Sequence, residues 1–132
     1  METKENKYRT ITLTDRPPVR IREDLWPRIA RGADDDCDDR RHPFQANTTA
    51  EMWVNVRQHS DGRTLVYGGY EYRTAWADRP DHSRRDGELL AKDADVAAAI
   101  RRVGEALGDR DTYDLAPGVI RECIANLPAE EI

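Results

Sequence analysis

The sequence predicts a single α+β domain: an antiparallel sheet of three or four strands centred on a hairpin at residues 51–75, with two C-terminal helices packed on one face. Three observations predict it. The β-like runs Met52 to Gln58 and Leu65 to Tyr72 flank Asp61-Gly62, a pair suited to a tight hairpin because its turn positions need positive φ. Val96, Ile100, Val103 and Leu107 recur at helical spacing before Gly108, which supplies a stop. A second apolar stripe, Val119, Ile120, Cys123, Ile124 and Leu127, follows Pro117, a residue suited to a first helical turn, and ends at Pro128.

Length and charge set the outer limits. At 132 residues the whole chain, 1–132, makes one domain, large enough to bury a core without staples. A net charge of −5 argues against a generic binder of phosphate backbones. Charged residues make up 36% and mean hydropathy is −0.88, so much of the chain is solvated and the core is modest. Two cysteines, Cys37 and Cys123, do not make a secreted disulfide framework, although a bridge between them stays open. No apolar run approaches a membrane span, and residues 1–7 are charged, frayed and unlike a signal peptide. The expected location is cytoplasmic, with no membrane partner.

From Tyr8 to Thr14 the chain alternates, with Ile11 and Leu13 on one face, as a half-buried strand does. Pro17 and Pro18 interrupt the ladder, and Val19-Arg20-Ile21 resumes it as a second short strand or the continuation of an edge strand. Asp24 to Gly32 predicts a short helix, with Pro27 in its first turn and Leu25, Trp26 and Ile29 facing inward; Trp26 reads as a core anchor. Residues 33–49 predict a long acidic and polar loop, and Trp76 to Gly87 a second polar connection. Asp93 or Asp95 can cap the first C-terminal helix.

The central hairpin carries the functional expectation. With a two-residue turn at Asp61-Gly62, Gln58 pairs with Leu65, Val56 with Tyr67, Val54 with Gly69 and Trp53 with Tyr70. One face then bears Met52, Val54, Val56, Leu65 and Tyr67; the other bears Trp53, Asn55, Arg57, Val66, Tyr70 and Tyr72. Helices can cover only one of these faces; Gly68-Gly69 allows either a bulge, which would reassign the tyrosines, or the close approach of another layer. Trp, Tyr and Arg are the residues that interfaces concentrate in their hot spots. Trp53, Arg57, Tyr70 and Tyr72 are therefore the candidate partner-binding residues, joined by the acidic loop residues Asp34, Asp35, Asp36, Asp38 and Asp39, which suit a basic partner.

Nothing in the chain makes a catalytic motif. Gly68-Gly69 lacks the Gly-Lys-Ser or Gly-Lys-Thr of a phosphate loop, Ser60 and Ser83 lie outside any nucleophile elbow, and His42, His59 and His82 fall in or next to three separate loops. Cys123, inside an apolar stripe, reads as a small buried hydrophobe. The acidic run lacks the glycine and closing glutamate of a calcium loop, and Cys37 with His42 makes no zinc set. No metal, cofactor or enzymatic activity is expected. The alternative to protein binding is a small regulatory nucleic-acid binder in which Arg57, Arg63, Arg73, Arg84 and Arg85 surround Trp53, Tyr70 and Tyr72.

Thr10 to Val19, Leu25-Trp26-Pro27, Leu65-Val66-Tyr67-Gly68 and Leu127 to Glu131 resemble stretches of small proteins carried on plasmids, prophages and integrative elements of proteobacteria. The resemblance implies an accessory or anti-defence protein of a mobile element that binds a host protein complex. Proteins of this setting and size include anti-CRISPR inhibitors, which act mainly by binding Cas proteins and sometimes by imitating DNA. The resemblance transfers no functional residue.

Overall fold

A single glycine sets the register of the central hairpin. In the computed structural model, which describes residues 7–37, 49–73, 81–108 and 114–129, the His59 amide donates to the Arg63 carbonyl and the Gly62 amide to the His59 carbonyl, both at 2.9 Å. Gly62 adopts φ +98°, so the loop holds three residues, Ser60, Asp61 and Gly62: a turn closed by a left-handed residue. The added loop residue moves the pairing by one. Gln58 faces Thr64, Val56 faces Val66, Trp53 faces Gly69 and Met52 faces Tyr70.

The two hairpin strands are the middle of a four-stranded antiparallel meander. In chain order the strands are β1 (Tyr8–Leu13), β2 (Arg16–Arg22), β3 (Arg28–Cys37), β4 (Thr49–Gln58), β5 (Thr64–Arg73) and β6 (His82–Leu90). They are followed by α1 (Val96–Leu107) and α2 (Ala116–Ala125). The meander runs β3-β4-β5-β6, and β1-β2 is a separate two-stranded sheet. The architecture is thus α+β, with both C-terminal helices packed on the large sheet.

The helix-covered face holds the main core. Ala50, Met52, Val54 and Val56 of β4 and Val66, Tyr70 and Tyr72 of β5 pack against Ile100, Val103, Leu107, Val119 and Cys123. Asp95 caps α1, its carboxylate accepting from the Ala98 amide at 3.0 Å. Pro117 occupies the first turn of α2, where no backbone donor is needed. Gly32 lets α2 sit against β3, because a Cβ there would stand 2.8 Å from the Cys123 backbone nitrogen. Cys123 is a free, buried thiol, so no bridge joins it to Cys37.

Among the described residues, the opposite face is covered at one end. Ile11, Leu13, Ile21 and Trp26 pack onto Leu65 and Tyr67 in a second, smaller core, and the Thr14 amide donates to the Gly87 carbonyl at 2.8 Å. Asp15, at φ +57°, turns β1 into β2. The register shifts between Ile11 and Leu13, opposite Pro17 and Pro18; two prolines fit an irregular ladder that does not need their missing donors.

Three further expectations are corrected. Asp24 to Gly32 is no helix: hydrogen bonds from Leu25 to Arg22 and Trp26 to Glu23 form a turn, and β3 begins at Arg28. Trp26 is nonetheless a core anchor at 7% exposure, whereas Leu25 is 46% exposed. Residues 33–37 belong to β3, while 38–48 lie outside the described residues. His82 to Gly87, expected as part of a polar connection, lies in β6, an edge strand whose exposed charges suit an edge. Of the two roles open to Gly68-Gly69, the structure shows the close approach and not the bulge: pairing is regular from Thr49↔Arg73 to Gln58↔Thr64, and a Cβ at Gly68 would stand 3.0 Å from Leu107 Cδ1 of α1.

Candidate functional site

Because strands alternate, the one-residue shift redistributes the expected aromatic face. Tyr70 and Tyr72 point to the helices and are 0% and 3% exposed, which removes them from any exposed patch. Leu65 and Tyr67 take their place on the outer face, under the β1-β2 hairpin. Arg57 does lie on the outer face, but its guanidinium is committed within the protein. Its Nε donates to the Tyr67 hydroxyl at 2.7 Å and its Nη1 to the Trp26 carbonyl at 3.0 Å.

Of the expected aromatic residues, Trp53 stays accessible: it is half-buried on β4, in the part of the outer face beyond the small hairpin. Its cross-strand neighbours are Ala33 on β3 and Gly69 on β5. A Cβ at Gly69 would stand 2.5 Å from indole Cζ2 and 2.8 Å from Arg85 Nη1, so the ring lies across this glycine toward β6. There the Arg85 guanidinium sits 4.8 Å from the ring centroid, a cation–π contact. Arg85 is itself clamped by Glu71, 2.7 Å away, which also meets Arg73 at 3.2 Å. The hydrogen bond from Arg85 holds the Glu71 carboxyl below its ordinary range despite some desolvation.

On the β3 side of Trp53 the surface dips into a recess of about 300 Å³, bordered by Arg31, Ala33, Asp35, Glu51 and Trp53. Arg31 is steadied by Asn55 Oδ1 at 3.4 Å. Asp35 is paired with Glu51 across β3 and β4, and Glu51 with Glu71 across β4 and β5. Three carboxylates thus form a row across one sheet face, an arrangement that costs free energy through like-charge repulsion. Glu71 has its arginines; Asp35 and Glu51 have no ion pair among the described residues.

The acidic residues do not act as one group. Asp34 and Asp35 are neighbours on a strand, so Asp35 belongs to the outer face and Asp34 to the helix side, where its carboxylate lies near Gly118. Asp36 falls in β3 opposite Ala50. Asp38 and Asp39 lie outside the described residues. Glu51 and Glu71, absent from the expected set, and Arg85, expected beside Trp53 only in the nucleic-acid alternative, complete the surroundings of Trp53. Alternation from Trp53 marks Glu51 as a same-face neighbour, whereas assigning Glu71 needed the correct register.

Histidine chemistry finds no centre here. His59 packs on Trp26 in the β4-β5 turn, with ring centroids 5.0 Å apart. His82 stacks on Tyr72 at the other end of the sheet, also at 5.0 Å, and His42 lies outside the described residues. Burial pushes the Cys123 thiol up to about 11, a poor state for a nucleophile. Among the described residues no cluster of three or more His, Cys, Asp or Glu side chains is placed to hold a metal, and no helix is long and apolar enough to cross a membrane.

Fold and site together define an α+β protein with a meander sheet, helices over one face, and a Trp-centred charged surface on the uncovered half of the other. Compared with protein families, curated proteins and solved structures, the chain matches none.

Proposed function

We propose that this protein acts without catalysis, by binding a partner protein on the open half of its outer sheet face, with Trp53 at the centre. One observation carries the reading: the half-buried Trp53 indole is held in place by Gly69 beneath it and Arg85 over it, with Arg85 clamped by Glu71. A rigid aromatic with a fixed arginine loses little conformational freedom on binding, which is the character of an interface hot spot. The mobile-element setting implied by the resemblance makes a bacterial defence complex, such as a Cas effector, the first partner to test.

The nucleic-acid alternative draws less support. Tyr70 and Tyr72 are buried, Arg73 and Arg85 are engaged by Glu71, and Asp35 and Glu51 on the same face repel phosphates. The test is affinity capture from a CRISPR-bearing bacterial lysate with wild type and with Trp53→Ala, both confirmed folded. The expected result is a partner retained by wild type and lost by the variant. Equal capture by both would remove Trp53 from the binding surface and the reading with it.

A further inference from the structure

Trp53 has different neighbours on its two sides. Toward β6, a guanidinium lies on the ring with a carboxylate behind it: Arg85 at 4.8 Å from the centroid, Glu71 at 2.7 Å from Arg85. Toward β3, the recess over Ala33 is walled by the edge of the same indole, with two carboxylates, Asp35 and Glu51, at one end and Arg31, turned to Asn55 Oδ1 at 3.4 Å, at the other. These two are cross-strand partners, close enough to repel each other, and no cation among the described residues meets them. A cation entering here would relieve that repulsion, as Arg85 does for Glu71 on the other side, while its apolar stem packs along the edge of the indole.

We infer that this recess takes an arginine or lysine side chain from a basic segment of the partner protein, its stem against Trp53 and its charge between Asp35 and Glu51. The inference rests on the binding-face reading above and adds the chemistry of the occupant. Charge complementarity selects it: the protein carries −5 overall, and around the recess the Asp35 and Glu51 carboxylates outnumber the Arg31 guanidinium, which is held by Asn55. An acidic segment would meet both carboxylates. The recess, at about 300 Å³, accommodates a long side chain.

The probe is a capped nine-residue peptide of alternating arginine and glycine, followed through the Trp53 indole N–H resonance by NMR, with a glutamate-for-arginine peptide as control. The arginine peptide is expected to shift that resonance, and the control peptide to leave it in place. Asp35→Asn with Glu51→Gln should weaken binding about tenfold, as expected for losing charge-assisted contacts. Glu105→Gln with Glu122→Gln removes the same charge from the exposed helix side and should change it by less than about twofold. No shift, equal weakening by the two double variants, or a single-stranded oligodeoxynucleotide shifting the resonance in the peptide's place would each overturn the inference. Capture of the lysate partner separates the two levels. If Trp53→Ala abolishes capture while the Asp35/Glu51 double variant does not affect it, the face binds but not through this recess. If Trp53→Ala leaves capture intact, the face itself fails.

Discussion

Trp53 and Gly69 are cross-strand partners on β4 and β5, and the indole lies across the glycine, where a Cβ would stand 2.5 Å from its Cζ2 atom. The indole of Trp53 therefore lies flat against the sheet, with Arg85 resting on it.

Gly69→Ala should displace the indole and Arg85 together. Both are side chains that can shift, so the cost belongs within the range of about 1–3 kcal/mol usual for overpacking. Urea unfolding measures the loss, and Trp emission shifts as the ring lifts toward solvent. Unchanged stability and emission would show that the ring does not lie on Gly69.

Arg57 is expected to act on stability and not on binding. It joins the Tyr67 hydroxyl to the Trp26 carbonyl beneath the β1-β2 hairpin, so Arg57→Ala leaves two partly buried groups without their donor. The expected loss is about 2–3 kcal/mol, the usual value for hydrogen bonds to a charged group. Partner capture by the folded variant should equal wild type.

Cys123 links stability to alkaline pH. Its folded thiol is pushed up to about 11 by burial, from an ordinary 9.0. The unfolded chain gives up this proton first, so the contribution is complete below pH 9 and is lost as pH rises through 11. Chemical denaturation of wild type and Cys123→Ala between these values should show a falling stability in wild type that is shallower in the variant. At pH 8, in a Cys37→Ser background, the native thiol should react with disulfide reagents only slowly, since roughly one molecule in a thousand is ionised at a pKa three units above ambient.

Glu71 links stability to acid pH in the opposite sense. Its carboxyl is held below the ordinary 4.5, first by the hydrogen bond from Arg85. Its contribution is present above the unfolded value and disappears as pH falls through the lower folded one. Glu71→Gln should flatten that part of the acid titration of stability, and protonation should perturb the Trp53 indole signal as the clamp on Arg85 weakens. An identical acid profile in the variant would show that this pair does not contribute.

Much of the scaffold was legible. Helical spacing located α1 and α2 because each has one buried stripe: Ile100, Val103 and Leu107, then Val119 and Cys123. Alternation located β1, and Asp61-Gly62 located the central turn. β3 escaped notice because its side chains are short or charged. It needs small residues such as Gly32 where α2 packs on it, and these carry little strand signal. β6 was obscured by the charges of an edge strand.

The candidate site was legible only in part, and the reason is specific to β5. Asp-Gly serves a two-residue turn as well as the three-residue loop found here, with Gly62 in the left-handed position. Ordinarily the hydrophobic pattern arbitrates, because a slip by one residue would expose the apolar set. Here Thr64 to Tyr70 are all buried, since helices cover one side of β5 and the β1-β2 hairpin part of the other. A strand apolar on both sides tolerates either register in sequence. The sequence by itself determined the α+β class, the two helices and the place of the central turn, because these depend on local periodicity and turn chemistry. Only the tertiary structure decided which aromatics are exposed. Burying Tyr70 and Tyr72 and leaving Trp53 beside Arg85, Glu71, Glu51 and Asp35 depends on one loop residue and on two separate layers packing against the same strand.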